Sequence, residues 1–160
     1  MTTNIRSVTP AKAKREPPSI EARLFVALLR LADHLSQDAE LLVKQQGLTA
    51  AQYNVLRILR GAGPDGLPCK GIGDRMISHD PDMTRLLDRL EKRSLITRER
   101  QTEDRRVILT RITPAGLDIL KRLDVPMDEL HKKQFRHLGA SKLRVLADAV
   151  DEVFPAVAPE

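Results

Sequence analysis

One predicted helix of this chain, DMTRLLDRLEKR at residues 82–93, carries basic side chains on one side and apolar side chains on the other. Its apolar residues recur at helical spacing and are expected to face the core: Met83, Leu86, Leu87 and Leu90. The opposite side carries Thr84, Arg85, Asp88, Arg89 and Lys92. Because a guanidinium can hydrogen-bond guanine at two atoms or bind phosphate oxygens, this side is suited to contact DNA. Pairing of Asp88 with Arg85 and Lys92 would instead make it an ordinary charged surface.

The next segment, SLITRERQTEDRRVILTRI at residues 94–112, predicts a β-hairpin because two alternating runs flank a polar tip. The tip carries Asp104, Arg105 and Arg106. Asp104 is placed to hold Arg106 outward by an ion pair. Three further arginines are expected near the DNA backbone: Arg98, Arg100 and Arg111. A basic helix followed by such a hairpin is typical of a winged helix-turn-helix, in which the helix enters the major groove and the hairpin reaches the minor groove or the backbone.

The apolar pattern elsewhere predicts the elements that hold this helix and hairpin in place. We divide the chain into a flexible basic arm, an N-terminal dimerisation helix, a DNA-binding lobe, C-terminal dimerisation helices and a tail, at residues 1–18, 19–47, 48–113, 114–154 and 155–160. Within the lobe, residues 61–68 are predicted to be a loop and residues 70–77 a short helix. The basic helix is expected to begin at Asp80 or Pro81.

Capping residues predict where several helices begin. Thr49 and Gln52 have the spacing of a capping box. Thr113 and Pro114 predict a helix start with threonine as the cap and proline at the first helical position. Pro126 lies inside the continuation of that helix and predicts a kink or a break.

These elements predict a mainly α fold with a small β-hairpin wing, a winged helix-turn-helix whose terminal helices form a dimerisation region. Both terminal helices have wide apolar faces. Pairing with a second copy would cover those faces and present two basic helices to a pseudo-palindromic site in double-stranded DNA. The alternative is a monomer whose terminal helices pack on its own middle.

Composition agrees with this prediction. The 27 basic and 22 acidic residues give a formal net charge of +5, which favours an acidic partner. Only three phenylalanines and one tyrosine are present, too few for the stacking platforms of single-stranded DNA binders. One cysteine, no signal peptide and no long apolar segment predict a reduced, cytoplasmic protein that does not interact with membranes.

The segments LTAAQYNVLRILR (48–60), IGDRM and TRLLDRLEKRSLITRERQTEDRRVILTRITPAGLDIL (84–120) resemble the MarR family of bacterial transcription regulators. The resemblance extends from about residue 19 to residue 153, and DRR followed by LTRITPAG is its most specific part. It implies a dimeric winged-helix DNA-binding protein, usually a repressor released by a small phenolic or other aromatic ligand or by cysteine oxidation. By position, Arg106 corresponds to the wing arginine of the minor groove and Asp104 to its partner.

The chain departs from the family pattern at the start of the recognition helix. There the family often has a hydroxyl residue, a basic residue and a second hydroxyl residue, whereas this chain has His79, Asp80 and Asp82. Carboxylates at these positions either accept a hydrogen bond from cytosine or make no contact. The operator sequence of other members therefore does not transfer.

No cofactor or metal is expected. The four histidines lack the spacing of a metal site. The sequence contains no recognisable set of catalytic residues, so we do not expect an enzyme. The oxidation-sensing branch of the family has a cysteine near the start of its first helix, and this chain has none there. We interpret Cys69 as a buried or capping residue.

The sequence thus predicts a sequence-specific DNA-binding transcription regulator, a dimeric repressor with a small-molecule effector. Its predicted DNA-binding residues are His79, Asp82, Thr84, Arg85, Arg89, Lys92, Arg98, Asp104, Arg105 and Arg106. The alternatives are a nonspecific DNA-coating protein and a protein-interaction module of the same fold.

Overall fold

The computed structural model describes residues 17–78, 82–101 and 107–153. The described α-helices are α1 Ile20–Lys44, α2 Ala50–Ala62, α3 Cys69–Gly73, α4 Met83–Lys92, α5 Pro114–Phe135 and α6 Ala140–Val153, and a short 3-10 helix, Gly63–Asp65, follows α2. The described strands are β1 Leu67–Pro68, β2 Ile96–Arg100 and β3 Ile108–Ile112. This is the predicted mainly α architecture with a small antiparallel sheet. Predictions for the arm before residue 17, for residues 79–81 and 102–106 and for the tail after residue 153 lie outside the described residues.

The chain divides into two compact units, Met1–Asp33 and His34–Glu160. In the first unit, the described structure is essentially the N-terminal half of α1. Ser19 precedes this helix and accepts a hydrogen bond from the Ala22 amide at 3.2 Å. The large apolar side chains of this half are exposed: Ile20, Leu24, Phe25, Val26, Leu28, Leu29 and Leu31.

The second unit contains a cluster of buried apolar side chains in which α2 contributes the most fully buried residues. The members with no exposed surface are Val55, Leu56, Leu59, Ile72, Leu90 and Leu120. The capping box that begins α2 is confirmed, since the Thr49 hydroxyl accepts from the Gln52 amide and the Gln52 side chain accepts from the Thr49 amide. The cap at Thr113 is also confirmed by its hydrogen bond from the Gly116 amide.

The sheet has the strand order β1-β3-β2, and both pairings are antiparallel. The prediction of a loop over residues 61–68 is wrong at its end, because Leu67 and Pro68 form a strand that pairs with β3. Gly66 allows this approach: its φ is +72°, and a Cβ there would lie 2.5 Å from the Thr110 carbonyl oxygen. A two-residue strand that includes proline gives no alternating pattern to detect.

The helix boundaries differ from the predicted ones at three places. The short helix ends at Gly73 and does not continue to residue 77. Helix α4 begins at Met83, since Asp82 is its N-cap with a non-helical φ of −121°. Of the kink or break predicted at Pro126, the break is wrong, because α5 is continuous from Pro114 to Phe135; the kink stays a prediction. Proline removes only one helical hydrogen bond, and buried side chains on either side of it, Leu123 and Met127, hold α5 against the core.

A serine in the left-handed conformation ends α4. Ser94 has a φ of +56°, the only positive φ of a non-glycine residue among those described. The Leu95 amide donates to the Leu90 carbonyl at 3.0 Å and the Ser94 amide to the Glu91 carbonyl at 2.8 Å, which is a Schellman motif. The Ser94 carbonyl accepts a hydrogen bond from the Thr113 hydroxyl at 2.7 Å. This turn therefore joins the end of α4 to the start of α5.

We expect Ser94→Gly to raise the free energy of unfolding by about 0.5–1 kcal/mol. A left-handed conformation costs a residue with a side chain about 1–2 kcal/mol, and the greater freedom of glycine in the unfolded chain offsets part of the gain. Chemical denaturation followed by circular dichroism measures the difference. Ser94→Ala is the matched control, because it keeps a Cβ at positive φ. An equal gain in both variants would show that backbone strain is not the cause.

Candidate nucleic-acid interface

Helix α4 has one face in the core and one face in solvent. Leu86, Leu87 and Leu90 are buried, as the sequence predicts. The exposed side chains of this helix include four of the predicted DNA-binding residues: Thr84, Arg85, Arg89 and Lys92. The arrangement places three cations on one outward surface within three helical turns. We call the side chains of Thr84, Arg85, Arg89 and Lys92 the α4 basic face.

Asp82 starts α4 and faces the first of these cations. Its carboxylate accepts a hydrogen bond from the Arg85 amide at 3.3 Å, which caps the helix. The same carboxylate lies 3.2 Å from the Arg85 guanidinium. Arg85 is therefore paired with Asp82, while the sequence suggested Asp88. Because the Arg85 side chain is 76% exposed, this ion pair contributes little stability and is easily exchanged for another anion.

The two carboxylates of α4 are both bound by a single arginine of the hairpin. Arg98 donates from Nε to Glu91 at 2.9 Å and from Nη2 to Asp88 at 2.6 Å. Its side chain is only 24% exposed, and its hydrogen bond to Glu91 raises the pKa of the guanidinium above its usual value. The sequence predicts that Arg98 lies near the DNA backbone. In the structure its guanidinium binds the protein's own carboxylates instead.

The other two arginines of the strands, Arg100 and Arg111, differ in their contacts. Arg111 donates to the Glu99 carboxylate at 3.0 Å and to the Pro64 carbonyl at 2.8 Å, so it links β3 to β2 and to the segment before β1. Arg100 is exposed at the end of β2 that leads to the hairpin tip. Four of the predicted DNA-binding residues lie outside the described residues: His79, Asp104, Arg105 and Arg106.

Two polar side chains that sequence reasoning left without a role fix the surroundings of α4. The guanidinium of Arg93, directly after α4, donates to the Gly47 carbonyl at 2.6 Å, just beyond the end of α1. The Asn54 side chain of α2 accepts a hydrogen bond from the Ile77 amide at 2.9 Å, on the connection between α3 and α4. Both contacts join residues more than 20 positions apart, so no local spacing in the sequence signals them.

The interpretation of Cys69 as a buried or capping residue is wrong. Cys69 is exposed at the first position of α3, and the N-cap is Pro68, which offers no side-chain hydrogen bond. Among the described residues, no group of three or more His, Cys, Asp and Glu side chains could hold a metal ion. None of the described helices is both long and apolar enough to cross a lipid bilayer.

The second unit also has an open groove of about 380 Å³ between the C-terminal part of α1 and the middle of α5. Its lining combines apolar and charged side chains: Asp38, Leu41, Leu42, Gln45, Pro126, Glu129, Leu130 and Lys133. It contains no aromatic side chain. A small molecule held there would contact aliphatic and charged side chains.

The fold and the α4 basic face define a winged helix-turn-helix protein of the DNA-binding class. Comparison with known proteins identifies the family. The family model for the MarR family matches residues 48–108. A MarR transcription factor from Planctomyces limnophilus has a solved structure with 38% sequence identity, in a match that covers 85% of this chain and 98% of that one, with a TM-score of 0.65. This chain belongs to the MarR family, and it is therefore a DNA-binding transcription regulator and not an enzyme.

Two further proteins are similar over most of their lengths. The PcaV transcriptional regulator of Streptomyces coelicolor, solved in complex with its natural ligand, is 31% identical, with 79% of this chain and 90% of that chain covered and a TM-score of 0.64. The HTH-type transcriptional repressor IacR of Pseudomonas putida is 27% identical over an alignment of 158 positions that covers 94% of this chain and 93% of that protein.

We expect Asp82→Asn to keep α4 stable while strengthening its attraction for DNA. Asparagine caps a helix as well as aspartate does, whereas Asp82→Ala removes the cap and should lower the free energy of unfolding by about 1 kcal/mol. Loss of the negative charge beside Arg85 should tighten binding to a labelled duplex of unrelated sequence, measured by fluorescence anisotropy at low salt. If Asp82→Asn is as unstable as Asp82→Ala, the capping role of Asp82 is refuted.

Proposed function

We propose that this protein is a dimeric repressor that binds a pseudo-palindromic operator and blocks a promoter in the cytoplasm. The observation that carries the proposal is the α4 basic face, since its opposite side is buried and its three cations point away from the core. Arginines in such positions read guanine or hold phosphates. The wing would add contacts from Arg105 and Arg106, with Asp104 holding Arg106 outward, and His79 would lie at the entry to the recognition helix.

The proposed dimer is supported by apolar side chains that the described chain leaves in solvent. On α1 they include Leu24, Phe25 and Leu29, and on α6 they include Val145 and Val153, each more than half exposed. Several large apolar side chains exposed on one helix are typical of an interface between subunits. A two-fold dimer would set two recognition helices about 34–36 Å apart, which matches successive major grooves.

We propose a small-molecule effector as the means of release. The support is the groove between α1 and α5 together with the solved complex of the similar PcaV regulator with its natural ligand. A ligand that binds better to one separation of the recognition helices would shift the dimer away from its DNA-binding conformation. Aromatic and phenolic compounds are the first class to screen.

The direct test of DNA binding is footprinting on the intergenic DNA upstream of the protein's own gene, with excess unrelated competitor. We expect one protected pseudo-palindrome, and we expect Arg89→Ala to lower affinity for it by about tenfold or more, because a good arginine contact to a base is worth about 1–3 kcal/mol. Lys121→Ala is the matched control, since this exposed lysine belongs to α5 and pairs with Asp118 of the same helix. Uniform weak binding, with affinity that tracks only the salt concentration, would favour a nonspecific DNA-coating protein.

The dimer is tested by placing a charge in its proposed interface. Leu28→Glu changes a side chain that is 41% exposed, so the subunit should fold normally while association is disfavoured. Sedimentation velocity is expected to show a dimer for the unmodified protein and a monomer for the variant, which also loses specific DNA binding. Arg23→Ala on the same helix serves as the control. A monomer in the unmodified protein at micromolar concentration would contradict the proposed dimer.

A further inference from the structure

The hairpin arginine Arg98 engages both acidic residues of the recognition helix. Asp88 and Glu91 are the only carboxylates of α4, and Arg98 is hydrogen-bonded to each of them. The two carboxylates are 42% and 38% exposed, so they lie at the surface beside the α4 basic face. Arg98 itself is mostly buried, and its residue in β2 pairs with the buried Thr110 of β3. Strand β2 thus holds the backbone of Arg98, and α4 supplies the two carboxylates that bind its guanidinium.

The helical positions show what these carboxylates would do without Arg98. Asp88 stands three residues after Arg85 and four before Lys92, and side chains at those spacings are neighbours on a helix. A carboxylate freed from Arg98 would therefore pair with the cations of the basic face. It would also repel DNA phosphates that approach the same surface.

We propose that Arg98 is a positioning residue for DNA binding, which holds Asp88 and Glu91 so that these two carboxylates do not pair with the cations of the α4 basic face. This inference rests on the proposed function of the α4 basic face. It differs from a phosphate contact, because the guanidinium of Arg98 acts on the protein's own carboxylates.

Arginine is suited to this task in a way that lysine is not. Its guanidinium presents several donors in one plane, and here Nε and Nη2 serve two carboxylates from different turns of α4. An ammonium group is a point charge without that fork. Because Arg98 belongs to β2, the same three hydrogen bonds attach the wing to the recognition helix.

The experiment compares Arg98→Gln with the triple variant Asp88→Asn, Glu91→Gln, Arg98→Gln. Affinity for the upstream intergenic DNA is measured by anisotropy over a series of salt concentrations. We expect Arg98→Gln to weaken binding by about tenfold, because Asp88 and Glu91 then lose their cation and repel the DNA phosphates. The triple variant has no carboxylates to hold, and it is expected to bind within about threefold of the unmodified protein with the same salt dependence.

A direct phosphate contact by Arg98 gives a different result. In that case the triple variant stays as weak as Arg98→Gln, and the slope of log affinity against log salt falls by about 0.9 in both variants. That outcome overturns the inference. Equal binding by Arg98→Gln and the unmodified protein overturns it as well.

Folding of the variants is checked by circular dichroism and thermal denaturation. If Arg98→Gln alone fails to fold, the triple variant is compared directly with the unmodified protein. Equal affinity and an equal salt slope support the inference, and a loss of affinity refutes it. Failure of the proposed function is distinguishable, because the unmodified protein would then show no preference for the upstream DNA over competitor.

Discussion

Burial of one side of α4 is the constraint on which the proposed interface depends. Leu86, Leu87 and Leu90 pack into the same core as α2, and full burial of such a side chain is worth about 1.5–3 kcal/mol. Turning the helix by one residue would bring Arg89 towards that core, and an unpaired buried charge is far more unfavourable than the burial of one leucine is favourable. The same three leucines that stabilise the lobe therefore determine which side chains face outward.

Both ends of α4 are also held by hydrogen bonds, so the orientation of the helix is determined by contacts within the protein. Asp82 caps the first turn, and the Schellman motif at Ser94 closes the last one. Arg93 then binds the carbonyls that follow α1, and Arg98 binds the carboxylates on the helix surface. A helix held in this way loses little conformational freedom when it binds a ligand, so preorganisation favours affinity.

The sequence predicts the parts of this structure that depend on local spacing. Each of these features depends on residues three or four positions apart in the sequence. They are the buried and exposed faces of α4, the capping box at Thr49 and the cap at Thr113, and the structure confirms all three. The partners of Arg98 lie 7 and 10 residues before it, across the turn at Ser94, so helical spacing could not find them. Strand β1 depends on a close approach at Gly66, and the continuity of α5 at Pro126 depends on tertiary packing around it.

The central claim is that the exposed side of α4 lies against DNA. A DNA-cleaving iron chelate attached to Lys92→Cys, in a Cys69→Ser background that removes the exposed native thiol, tests it directly. We expect cuts in the protected intergenic site at two symmetric positions separated by about one helical turn. The same chelate on Lys121→Cys of α5 should cut weakly or not at all. Strong cleavage from residue 121 and none from residue 92 would contradict the account.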